Sequence, residues 1–223
     1  MARNSYQSQL DDLRAEVTAM AETTVERYER ALSVLESGDS HDADWIIEHD
    51  EDINQWYLDI ESDCIELLAL QQPVASDLRF IASSFKIVTD LERVGDLATN
   101  LARYGREAEG DLLTTVDVAP LAEVAGEMVT DAMEAYATED PELARQVAAR
   151  DDDLDSDCRT VSEQVVRELM TTQATGDRGV DSTVEDVSRA LLTIRDLERV
   201  GDHAVNICAR TLYMVENDDE LIY

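Results

Sequence analysis

Two carboxylates four residues apart recur in a seven-residue phrase that this chain uses twice. Asp-Leu-Glu-Arg-Val-Gly-Asp occupies 90–96 and again 196–202. Glu92 therefore stacks with Asp96, and Glu198 with Asp202, on one flank of a helix. The identity continues through Ala98/Ala204 and Asn100/Asn206, and chance would produce such a match in fewer than roughly one in a thousand such chains. A second echo lies upstream, where Asp50-Glu51-Asp52-Ile53-Asn54 parallels Asp151-Asp152-Asp153-Leu154-Asp155. Asp50 and Asn54, and likewise Asp151 and Asp155, fall at the edge of an inward stripe, an odd place for a carboxylate. Like charges four apart destabilise a helix slightly and partial burial makes them worse, so a hard cation bridging them is the natural compensation. Oxygen ligands suit Mg, Mn, Ca or Fe. The competing reading is a charged coat, because in so acidic a chain about a dozen such pairs arise by chance; duplication within one phrase is what lifts these above it. Gly95 and Gly201 sit mid-helix, where glycine costs about 1 kcal/mol relative to alanine. They point to a close helix approach or an open path for an ion. Arg93 and Arg199 stand beside the acids, either holding them in place or forming surface ion pairs.

The elements that position these residues are helices. Apolar residues recur at three- and four-residue steps nearly throughout, and eight Gly and three Pro are few for 223 residues. The spacing predicts six helices. The first carries Leu10, Leu13, Val17, Met20, Tyr28, Leu32 and Leu35 inward and stops at Ser37-Gly38. The second runs from about Asp42 to Leu70, with Ile46, Ile53, Tyr57, Ile60 and Cys64 inward. The third starts at Pro73 after Gln71-Gln72 and reaches Tyr104, with Phe80, Ile87, Leu91, Val94 and Ala98 inward. A linker is expected over Gly105 to Pro120. The fourth helix, 120–137, buries Leu121, Val124, Met128, Ala132 and Tyr136. The fifth opens at the Asp140-Pro141 cap and ends near Met170, with Leu154, Cys158 and Val165 inward. After a polar loop with Gly176 and Gly179, a capping box of Ser182 and Glu185 starts the sixth, 183–215. The two echoes align helix two with five and three with six. The expected fold is thus all-α, a tandem duplication of a three-helix bundle, with repeats at 1–108 and 117–223.

Composition bounds the function. Asp and Glu number 51 against 18 Lys and Arg, a formal charge of −33 that repels nucleic acid and anionic membranes. Lys86 is the sole lysine, and the surface looks like a halophile's. Cys64, Cys158 and Cys208 lie far apart without a CxxC, which argues for buried reduced thiols rather than a disulfide framework. No apolar run approaches a membrane span, so a cytoplasmic protein without membrane insertion is expected.

The repeated phrase resembles the PhoU family of phosphate-transport regulators. That family's repeats carry Glu-Arg-Ile-Gly-Asp-His-Ala-x-Asn-Ile and a helix start Gln-Gln-Pro-x-Ala-x-Asp-Leu-Arg; here these read Leu91 to Leu101, Leu197 to Ile207, and Gln71 to Arg79. The resemblance spans nearly the whole chain. It implies two pseudo-symmetric three-helix bundles whose acidic motifs hold multinuclear clusters of divalent or trivalent ions (Fe, Mn, Mg, Ca or Zn). The ligands would fall on Glu92, Asp96, Asp50 and Asn54, and on Glu198, Asp202, Asp151 and Asp155. Asn54 departs from the all-acid pattern and implies a weaker first cluster. The second copy has Gln173 to Thr183 where the first has Gln71 to Arg79, so a partner surface need not be symmetric. His203 matches the family's histidine, but helical geometry points it outward and favours a surface role; His41 and His49 show no metal spacing.

Three functions compete. A regulator of the PhoU type needs no catalytic residues, and none is visible: there is no Gly-rich phosphate loop, Cys/His pair or nucleophile motif. By resemblance it would lower phosphate import when phosphate is plentiful. Its partners would be the ATPase subunit of a phosphate ABC transporter and a membrane sensor kinase, with the chain itself a homodimer. A di-iron carboxylate enzyme requires two Glu-x-x-His motifs, and no Glu lies three residues before His41, His49 or His203. A helical scaffold whose repeat is only packing is the third.

Overall fold

Asp39 and Asp140 begin equivalent turns in the two halves of the chain. Each caps a helix, Asp39 accepting from the backbone N–H groups of His41 and Asp42, and Asp140 from those of Glu142 and Leu143. Each follows a residue in the left-handed region, Gly38 at φ 68° and Glu139 at φ 55°, which terminates the preceding helix. The computed structural model describes residues 2–70, 73–108, 116–175 and 180–222, and these form helices and no strand. The helices are α1 (Ala2–Ser37), α2 (Ser40–Glu48), α3 (Asp50–Leu70), α4 (Ala75–Arg106), α5 (Ala119–Thr138), α6 (Pro141–Ala148), α7 (Asp151–Thr175) and α8 (Val180–Glu216). Gln71-Gln72, the linker core 109–115 and Gly176 to Gly179 lie outside the described residues. So does the side chain of Ser182, and α8 begins ahead of that proposed cap.

Six rods result, because α2–α3 and α6–α7 are the expected second and fifth helices, each broken once. No Gly or Pro marks either break. At the first, the Asp52 N–H reaches back to the His49 carbonyl; at the second, the Arg150 N–H bonds to the Val147 carbonyl. Each break sets three acids in a new first turn, Asp50 to Asp52 and Asp151 to Asp153, where the positive end of the helix dipole favours them. Asp50 and Asp151 therefore open helices instead of lying within them.

The central contact is between the two third rods. α4 packs on α1, α2 and α3, α8 packs on α5, α6 and α7, and α4 and α8 pack on each other. The expected inward residues Phe80, Ile87, Leu91, Val94 and Ala98 are buried, as are Leu154, Cys158 and Val165. The three cysteines are buried and unpaired. One hydrophobic cluster runs through both repeats. Tyr28 of α1 donates to the Ala122 carbonyl at 2.8 Å, and the Ser84 and Tyr136 hydroxyls meet at 2.7 Å. On α1 the innermost positions near its end are Ala31 and Val34, with Leu32 and Leu35 only partly covered. The backbone of α4 comes close to α1 at Val34.

Gly105 shows how close. It belongs to α4, not to the linker expected from Gly105 onward, and a Cβ there would lie 2.7 Å from the Val34 carbonyl oxygen and 2.8 Å from its carbon. Backbone cannot step aside as a side chain can. Gly105→Ala should therefore destabilise the protein by about 2 kcal/mol, outweighing the roughly 1 kcal/mol that alanine gains in helix propensity. An unchanged urea midpoint would contradict this packing.

Candidate functional site

The C-terminal acids come together where α7 meets α8. Asp151 and Asp155 come from the first turns of α7, and Glu198 and Asp202 from α8. Gly201 permits the approach: a Cβ there would fall 2.5 Å from Leu154 Cδ2 and 3.6 Å from Asp151 Oδ1. In the first copy Gly95 lies likewise against Ile53, 3.1 Å from its Cδ1. Of the two roles proposed for these glycines, close helix approach is the one the structure shows.

The convergence is electrostatic. Burial first, then the neighbouring Asp155, Asp202, Asp152 and Glu198, push the Asp151 carboxyl up to about 6. Glu198 is raised by burial and then by Asp155 and Asp202, with Arg159 opposing. Asp202 is raised by burial and by Asp155, with His203 and Arg199 opposing. Asp151 Oδ1 and Asp155 Oδ1 are buried and accept no hydrogen bond. Among the described residues no three His, Cys, Asp or Glu side chains stand as a ready ligand cage, so a cation would have to draw these four inward by side-chain rotation. The chemistry of two of them fits a hard ion, since the buried, unpaired oxygens of Asp151 and Asp155 lack a positive charge to stabilise them, while Asp202 is exposed and would complete the site from the solvent side.

The N-terminal counterpart is satisfied by the protein itself. Thr99 Oγ1 donates to Asp50 Oδ1 at 2.7 Å. Arg93, itself half exposed, reaches Glu92 at 3.4 Å and Asp96 at 3.3 Å. Burial, then Asp96, raises Glu92, and Asp50 adds to this against the pull of Arg93 and His203. Asn54 is half-buried on α3. Arg199 behaves differently from Arg93: its ion pair, at 3.6 Å, is with Asp196.

Other polar residues of the repeated phrase join the two copies. Asn100 of α4 donates to Asp196 of α8 at 3.5 Å, and Asn206 of α8 donates to Asp90 of α4 at 3.1 Å. The exchange is reciprocal, as a pseudo-twofold between α4 and α8 requires. Asp196 is fully buried and also accepts from the Tyr104 hydroxyl at 3.0 Å and from Arg195 at 2.8 Å. His203, expected on the outer surface, is half-buried instead, with Nδ1 2.9 Å from Asp90 Oδ1. The face pointing away from its own bundle is the face that meets the other bundle. The roles of Asp90, Asp196 and Thr99 and the position of Arg27 were not read from the sequence, although Asp90 and Asp196 open the repeated phrase.

Comparison with known proteins bears on both repeats. The PhoU domain matches residues 17–105 and, a second time, 118–211. The chain belongs to the PhoU family. The phosphate-specific transport system accessory protein PhoU homolog of Pseudomonas putida is 35% identical over 217 residues, 96% of this chain and 82% of that protein. The phosphate-specific transport system accessory protein PhoU of Escherichia coli K12 is 29% identical over 216 residues, covering 96% of this chain and 86% of that protein. The crystal structure of PhoU from Pseudomonas aeruginosa superposes with a TM-score of 0.83 at 32% identity, covering 96% of this chain and all of that one. The phosphate transport system regulatory protein PhoU from Streptococcus pneumoniae gives 0.80 at 27% identity. The likeness to these structures thus covers 96% of the chain, and the two domain matches are the two halves related by the Asp–Asn exchange. Among the described residues no helix is long and apolar enough to cross a membrane.

Proposed function

We propose that this chain is a cytoplasmic regulatory accessory protein of phosphate import. In this reading it lowers uptake through a high-affinity phosphate ABC transporter when phosphate is plentiful, by contacting the ATPase subunit. The observation that carries the reading is the double PhoU match over almost the whole chain, alongside relatives described as accessory proteins of phosphate-specific transport. The four C-terminal carboxylates support a divalent-metal site on this scaffold, with Asp151, Asp155, Glu198 and Asp202 as ligands. Bound there, an ion supplies positive charge at a point on a surface that is otherwise strongly negative. Charge also constrains the partner, since a face this acidic associates best with a basic or metal-bridged one. Deleting the gene should raise phosphate uptake or stored polyphosphate during phosphate-replete growth. An affinity pull-down from the same cells should recover a transporter subunit. Normal uptake together with an empty pull-down would overturn the assignment.

A further inference from the structure

We infer that the two acidic sites of the tandem repeat are chemically unequal: Arg27 is a built-in cation for the N-terminal site, and the divalent ion belongs to the C-terminal one. The inference rests on the metal reading above and adds to it which repeat is loaded and why.

Arg27 lies on α1 and is only 4% exposed, yet its Nε and Nη1 have no hydrogen-bond partner. Burial works against its charge, and the carboxylates of Asp50 and Asp52 at the start of α3 favour it. The shared turn at Gly38-Asp39 and Glu139-Asp140 sets the register between α1 and α5. In that register Arg27 falls on Met128, which is fully buried and apolar. The register of the repeated phrase places Thr99, which donates to Asp50, on Val205, which has no hydroxyl to offer Asp151. Asn54 falls on Asp155. Arg93 grips Glu92 and Asp96, whereas its counterpart Arg199 is engaged by Asp196.

All four differences act in one direction. The N-terminal site has Asp50, Glu92 and Asp96, with a buried guanidinium that keeps its charge and a hydroxyl donor in place. The C-terminal site has Asp151, Asp155, Glu198 and Asp202, with neither. The unpartnered buried atoms at the two sites differ in sign: Arg27 Nε and Nη1 on the N-terminal side, Asp151 Oδ1 and Asp155 Oδ1 on the C-terminal side, with the Tyr6 hydroxyl and Arg79 Nε belonging to neither. A divalent cation entering the first site would meet a like charge in a medium of reduced dielectric. In the second it relieves the mutual repulsion of four carboxylates, two of which, Asp151 and Asp155, keep a buried oxygen without a partner.

The test is Mn²⁺ binding to the full chain in molar KCl, by equilibrium dialysis with elemental analysis and manganese electron paramagnetic resonance. Glu92→Gln/Asp96→Asn should retain the parent's metal content, and Glu198→Gln/Asp202→Asn should lose it. Arg27→Met/Thr99→Val/Asn54→Asp, which writes the C-terminal residues into the N-terminal site, should gain a second site and double the content. Circular dichroism verifies the fold of each variant, and should the triple variant fail to fold, the two double variants decide alone. Loss of half the metal in Glu92→Gln/Asp96→Asn would overturn the inequality and leave the metal reading standing. No tightly bound Mn²⁺ in the parent would overturn the metal reading and this inference with it.

Discussion

Raising KCl from about 0.1 M to about 1 M, which shortens the Debye length from about 10 to 3 Å, should increase the melting temperature by about 10 °C, or about 3 kcal/mol for a chain of this size. The reason is the excess of 51 acidic over 18 basic residues. Salt acts on this surface in two opposed ways. It weakens the attractive pairs, such as Arg150 with Glu127 and Asp131, both at 2.8 Å. It also weakens repulsion among all the acids that no arginine reaches. Exposed pairs contribute only about 0–1 kcal/mol each, and the arginines are already shared: Arg145 alone serves Glu216, Asp218 and Glu220. Repulsion therefore dominates, and screening it stabilises the compact state. A melting temperature that is flat or falls with salt would remove the halophile reading of the surface.

The helices were legible because their apolar stripes are regular. What the stripes could not show was a break made by charge. At His49 and at Ala149-Arg150 no glycine or proline interrupts the pattern, and the apolar positions run through in phase, so one long helix was the natural expectation. The acids after each break carry the information, three in a row at a new helix start, but they were read as ligands and coat. Gly105 misled in the opposite way: near loop-like sequence it suggested a linker, whereas its missing side chain admits the backbone of α1. The acidic site was half legible. Four-residue spacing and duplication singled out Glu198 and Asp202, and the second echo supplied Asp151 and Asp155. Arg27 was hidden in plain sight, since Met20, Thr24, Arg27, Ala31 and Val34 form the true inner stripe of α1, and a search for apolar residues steps over an arginine. The Asp–Asn exchange between copies lay beyond single-chain periodicity, because it depends on how α4 meets α8.

Adding Mn²⁺ to the metal-free protein at neutral pH should raise its melting temperature by about 5 to 10 °C at a hundredfold excess over the dissociation constant, the shift expected when a ligand contributes about 2.7 kcal/mol to a chain of this size. The effect should disappear in Glu198→Gln/Asp202→Asn. That variant should also be at least as stable as the parent without metal, because it removes two of the four charges that repel one another around Asp151. Acid should mimic the metal. Folding raises the Asp151 carboxyl to about 6, mainly through burial, and raises Glu198 and Asp202 in the same direction. Groups raised in this way hold their protons more tightly in the native state, so their stabilising contribution is present below the ordinary carboxylate range and is lost as pH rises through about 6 for Asp151. The metal-free parent should accordingly melt at a higher temperature near pH 5 than near pH 7, and Mn²⁺ should narrow that difference by stabilising the ionised form. Because a cation and a proton compete for the same oxygens, Mn²⁺ affinity should fall over this interval as pH is lowered. A parent that melts alike at both pH values and ignores Mn²⁺ would leave the quartet as part of the acidic surface, and would leave Asp151 and Asp155 as unpaired oxygens with no cation to answer them.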